Sequence, residues 1–149
     1  MAASVPGLGA IQPGDLTELR QLIELPTVRK LANRGLTDQE LALATKLADA
    51  TMRPARSGDV PGYLRADMTF HLCLMELAGD PALSEIARLL LGPTLTREPC
   101  GGDLMVREAR EHRELIDMLA GDLVSAADDL LRIHLGRQAG GGAGVGNDR

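Results

Sequence analysis

Three histidines and one aspartate hold most of the chemistry this sequence offers. Asp67 and His71 stand four residues apart inside Val60 to Ala78. There Val60, Leu64, Asp67, His71, Leu74 and Ala78 fall at i, i+4, i+7, i+11, i+14 and i+18, one face of an α-helix. A carboxylate and an imidazole in an apolar stripe are costly to bury unless they pair or bind a cation. The other two histidines repeat the anomaly. His112 shares a stripe with Met105, Ala109, Ile116 and Leu119 although Glu111, Arg113 and Glu114 around it are polar, and His134 shares one with Leu123, Ala127 and Leu130. His112 lies nine residues before the turn Gly121-Asp122 and His134 twelve after it. At ~1.5 Å rise per residue these are ~14 and ~18 Å, so an antiparallel pair brings them to similar depth.

A lone inward histidine is more often a hydrogen-bonded core residue than a ligand, and an aspartate four residues before one can be only its partner. Here all three histidines of the chain and an aspartate occupy stripe positions. Burying four such groups together is expensive without a cation. Three nitrogen ligands and one oxygen suit a divalent ion such as Zn²⁺, Ni²⁺ or Mn²⁺, with positions left for a small anion.

The elements that must position these groups read as helices. Asp15-Leu16-Thr17-Glu18 has the form of a capping box and opens a first helix to about Arg34, with Pro26 kinking it and Gly35 ending it. Thr37-Asp38-Gln39-Glu40 repeats the device for a second helix, expected to end near Met52, before Pro54. Asp59 and Pro61 start a third, which Gly79 closes, and Asp80-Pro81 a fourth through Leu91, which Pro93 interrupts. After a loop from Pro99 to Gly102, a fifth helix runs from Asp103 to about Ala120. Gly121-Asp122 then turns the chain and caps a sixth that ends near Gln138. The expected fold is all-α, an antiparallel bundle of about six helices.

Composition agrees. Of 149 residues 44% are hydrophobic, with one Phe, one Tyr and no Trp, which describes an aliphatic core of packed helices. Residues 15–138 make one domain, between a Pro/Gly-containing linker or disordered start (1–14) and a glycine-rich disordered tail (139–149). That tail has neither the strand before nor the helix after that a phosphate loop needs. Cys73 and Cys100 are too few for a disulfide framework, and no signal peptide or apolar span is visible, so a cytoplasmic protein is expected. The net charge is −5, and no run of Lys and Arg in the sequence would neutralise a row of phosphates.

The segments "RADMTFHLCLMELAGDPAL", "EHRELIDMLAGD" and "AADDLLRIHL", with the opening "LTELRQLIELPTVRKLANRGLTDQEL", resemble the FadR C-terminal domain (FCD) of GntR-family transcription regulators over residues 15 to 138. The resemblance implies that Asp67, His71, His112 and His134 bind a divalent metal; the 22-residue spacing of the last two histidines fits. It implies a small carboxylate effector held with the metal's help, whose binding alters how an N-terminal winged helix-turn-helix grips DNA, and a homodimer. By position Arg20 resembles an effector-contacting arginine of the family's first helix, and Arg97 is a second candidate; Arg20 could equally form an i,i+4 pair with Glu24. About fourteen residues before the first helix cannot hold a winged helix-turn-helix, so DNA contact is expected only through a domain outside this chain. Two alternatives stand beside a non-enzymatic sensor. A metal-dependent hydrolase would need a base near a metal-bound water, where the stripes offer mostly Leu, Ile and Ala. The other is a helical interaction module with a structural metal.

Overall fold

The computed structural model describes residues 13–92 and 101–139 as six helices: α1 (Pro13–Arg34), α2 (Asp38–Ser57), α3 (Val60–Leu77), α4 (Pro81–Leu91), α5 (Gly102–Ala120) and α6 (Val124–Ala139). Of the linker expected at 1–14, residues 13 and 14 belong to α1, and of the tail expected at 139–149, residue 139 belongs to α6; residues 1–12, 93–100 and 140–149 lie outside the described residues.

Local chemistry sets most boundaries. The Thr37 hydroxyl accepts the Glu40 N–H (3.2 Å) and the Glu40 carboxylate accepts the Thr37 N–H (2.8 Å), closing the expected capping box. Asp59 caps α3 through the Gly62 N–H, and Asp80 caps α4 through Ala82 and Leu83. Gly35, with φ of 78°, takes the left-handed position that ends α1.

Four expectations need correction. α1 starts at Pro13, which suits a first turn, so Asp15 sits inside that turn instead of capping it. α2 does not stop before Pro54 but runs to Ser57. Its last turn buries Ala55 with Tyr63, Leu64 and Met105, and that packing outweighs the ~3 kcal/mol a proline costs inside a helix. Asp122 takes a left-handed turn position (φ 56°), and α6 begins two residues later at Val124. Leu123 is 54% exposed, and the inward face of α6 is Ala127, Leu131, His134 and Leu135.

Contacts fix the helix directions. Glu24 of α1 meets His71 of α3, and Arg34 reaches the Leu77 carbonyl, so α1 and α3 run parallel. Tyr63 meets Glu108 and Asp67 meets His112, which makes α3 and α5 parallel. α2 is antiparallel to α5 through Asp49–Arg113 and Thr51–His112, and α6 is antiparallel to α1 through Gln21–Arg132 and Arg29–Asp128. The starts of α1, α3 and α5 and the ends of α2 and α6 therefore share one end of the bundle. A core of Leu25, Val28, Leu31, Phe70, Ile116 and Leu119 fills the other half, and a smaller cluster around Tyr63 and Met105 lies towards the shared end. Between them sits a layer of buried polar side chains.

Candidate metal centre

α3, α5 and α6 bring Asp67, His71, His112 and His134 together, each no more than 2% exposed. One potential ligand atom from each lies within 4.8 Å of the others. His112 Nε2 stands 3.0 Å and His71 Nε2 3.4 Å from Asp67 Oδ1, while His71 Nε2 and His134 Nε2 are 3.3 Å apart. The imidazoles crowd with ring centroids 4.8 to 5.3 Å from one another.

What turns these atoms inward is the other nitrogen of each ring. His71 Nδ1 lies 2.6 Å from the Glu24 carboxylate and His134 Nδ1 2.8 Å from Glu111, so each Nδ1–H donates to an anion. The Thr51 hydroxyl donates to the Ala48 carbonyl (2.7 Å), so its oxygen accepts the Nδ1–H of His112 at 3.0 Å. With every Nδ1 protonated and spoken for, three Nε2 lone pairs face Asp67 Oδ1. Asp67 Oδ1 and His112 Nε2 accordingly have no hydrogen-bond partner although both are buried. With the His112 Nδ1–H given to Thr51, His112 Nε2 and Asp67 Oδ1 are two acceptors 3.0 Å apart, an arrangement that favours positive charge nearby. The donor set and these two orphaned atoms fit a divalent cation.

Electrostatics report the same demand. Burial opposes charge on His71, but Glu24 and Asp67 outweigh it and raise His71 to about 9. A proton on His71 is thus one way to place positive charge in the cluster. Burial lowers His112 and His134 to about 4, and the charge on His71 adds to the effect on both. Burial raises Asp67, yet His71 and His112 hold it well below the usual carboxylate range; Glu24, against the same burial, is brought to about 2 by Arg20 and His71.

Several contacts were not foreseen: Thr51 and Glu111 behind two of the histidines, Glu24 behind His71 as well as beside Arg20, and the fully buried pair Tyr63–Glu108 (2.8 Å). Glu108 precedes His112 by four residues, as Asp67 precedes His71, and that spacing was the available signal. Arg20 is 3% exposed, and its Nε pairs with Glu24 at 2.8 Å, the i,i+4 option of its two sequence readings. It reaches the cluster through Glu24. Arg97 lies outside the described residues. No helix among the described residues is long and apolar enough to cross a membrane.

A family profile described as "FCD domain" matches residues 15–137. Among curated proteins, the HTH-type transcriptional repressor NanR of Salmonella schwarzengrund (strain CVM19633) is 28% identical over 134 residues, 83% of this chain and 49% of that protein. NanR of Cronobacter sakazakii (strain ATCC BAA-894) is 28% identical over 131 residues with the same coverage. The chain spans about half the length of these relatives. Among solved structures, Streptococcus agalactiae GntR superposes with a TM-score of 0.70 at 26% identity, over 89% of this chain and 60% of that one. E. coli McbR/YncC gives 0.73 at 20% identity, over 85% and 62%, a likeness of fold alone.

Proposed function

The chain belongs to the FCD domain family, the effector-binding domain of GntR-family transcription regulators, and we propose that it senses a small carboxylate through a divalent metal held by Asp67, His71, His112 and His134. The family and its repressor relatives make it a regulator's domain, not an enzyme, which sets the hydrolase alternative aside. The observation that carries the metal assignment is the engagement of all three Nδ1 atoms by Glu24, Thr51 and Glu111, which leaves three Nε2 lone pairs and a carboxylate oxygen facing one another.

Held by Asp67, His71, His112 and His134, a divalent ion would supply Lewis acidity for an effector carboxylate. The chain's own residues do the rest. Burial excludes water, the Nδ1 partners hold the rings in place, and Arg20 neutralises Glu24 so that this anion can remain inside. Any further effector contact by Arg20, and any by Arg97, belongs to this proposal. So do the cytoplasmic location, the homodimer, and a winged helix-turn-helix unit ahead of α1 whose grip on DNA the effector biases.

The test is elemental analysis of protein purified without chelator. Close to one transition metal per chain is expected, with most of it lost in His134→Ala. A native protein free of metal, as stable after zinc addition as before, would refute the assignment. If small carboxylates then fail to raise the melting temperature of the zinc-loaded domain, the metal is structural and the chain an interaction module.

A further inference from the structure

Arginines in this chain fall into two populations. In the described parts of α1, α4 and α6, and at Arg113 of α5, every arginine has an ion pair, as Arg29 has with Asp128 and Arg88 with Glu76. Arg53 and Arg56 of α2, Arg65 of α3, and Arg107 and Arg110 of α5 are exposed and have no ion pair with any described residue. The helix directions bring these five to one end of the bundle, near the end of α2 and the starts of α3 and α5. Arg56, Arg110 and Arg113 share a groove of about 520 Å³ between α2 and α5 with Met52, Asp49 and Glu114. In segments 53–65 and 101–110 the exposed acids are only Asp59 and Asp103, and Asp59 is engaged as the cap of α3.

We propose that, beyond the contact expected through a domain outside this chain, this arginine-bearing end itself meets the phosphate backbone of duplex DNA. The proposal rests on the reading above, in which a DNA-reading unit precedes α1. α1 starts at this same end of the bundle, so a duplex held by that unit approaches the five arginines first. Charge favours this orientation: in a chain of net charge −5, segments 53–65 and 101–110 carry five exposed arginines against Asp59 and Asp103, with Asp15 and Glu18 at the nearby start of α1. Guanidinium groups match phosphate oxygens in paired hydrogen bonds. The contacts carry no sequence information; they add affinity and fix the sensor's pose, while base reading stays with the preceding unit.

Fluorescence anisotropy of a labelled duplex of arbitrary sequence, ~20 base pairs long, titrated with the 149-residue chain at several salt concentrations, tests this; five neutralised phosphates predict a slope of log K on log salt of roughly −4.5. Arg53→Glu with Arg107→Glu is expected to weaken binding at low salt more than tenfold. Lys30→Glu with Lys46→Glu changes the net charge equally at exposed sites elsewhere and is expected to have a much smaller effect. Absence of binding at the lowest salt, equal losses in both double variants, or tighter binding of polyglutamate than of duplex each overturns the proposal, the last in favour of an acidic protein partner. Melting temperatures establish that the variants are folded. Zinc titrated into the arginine variant keeps the two claims separate, because its affinity there depends on the buried cluster alone.

Discussion

The buried centre and the arginine end treat charge in opposite ways. In the centre the buried acids are met from within the chain, Glu24 by Arg20 and His71 and Glu111 by His134 and Arg137, while Asp67 Oδ1 is left facing the histidines without a hydrogen-bond partner among the described residues. At the other site five guanidiniums have no counterpart among the described residues. Solvent makes the difference. A charge removed from water must be paired at once or it costs several kcal/mol, whereas a hydrated charge can wait for a partner that arrives later. The pattern of pairing therefore separates groups that build the fold from groups free to recognise something.

The comparison breaks most visibly at Glu24. Glu24→Leu strands Arg20 in the interior and removes the acceptor of His71, and should lower the unfolding free energy by ~3–5 kcal/mol in urea denaturation. A loss under ~1 kcal/mol would mean that the network relaxes to water and is not truly buried. Thr51→Val is gentler, since it keeps the volume and removes only the oxygen behind His112. Zinc affinity by competition with a chromophoric chelator should fall ~10–100-fold while the helical content stays unchanged. An unaltered affinity would show that ring orientation does not depend on that contact.

Acidity sharpens the contrast within the centre. His112 and His134 titrate near 4 when folded and near 6.5 when unfolded, so the unfolded chain takes up protons first and stability falls as pH drops from about 6.5 to about 4. His71 works the other way. Its contribution is complete below about 6.5 and is lost as pH rises towards about 9. Metal-free protein should thus be most stable near pH 6.5, as chemical denaturation across pH 4 to 9 would reveal; a monotonic profile contradicts these assignments. The smallest effect belongs to the surface. Arg29→Ala breaks an exposed pair with Asp128 and should leave the urea midpoint where it is.

Much of this architecture could be read residue by residue because its signals are local. Thr37-x-x-Glu40, Asp59-Val60-Pro61 and Asp80-Pro81 specify their own caps within one turn, and the stripes through His71, His112 and His134 need only helical periodicity. What escaped depends on how helices meet. Glu111 lies between Arg110 and His112 in a polar run, and only the approach of α6 buries it against His134. Pro54 looks like a stop until the packing of Ala55 is known, and Leu123 looks inward until the turn places it in solvent. The arginine end was invisible for a like reason: Arg56 and Arg110 are 54 positions apart, and antiparallel α2 and α5 make them neighbours.

In the proposed centre, three Nε2 atoms and the Asp67 carboxylate hold one ion because the imidazole rings are pinned from behind. A crystal of natively purified protein, with diffraction recorded at the absorption edge of the metal found in it, tests this most directly. A single anomalous peak is expected at ~2.0–2.2 Å from Nε2 of His71, His112 and His134 and from a carboxylate oxygen of Asp67. A peak ligated through Nδ1, or a metal-bearing crystal whose anomalous signal lies away from these four residues, would contradict it.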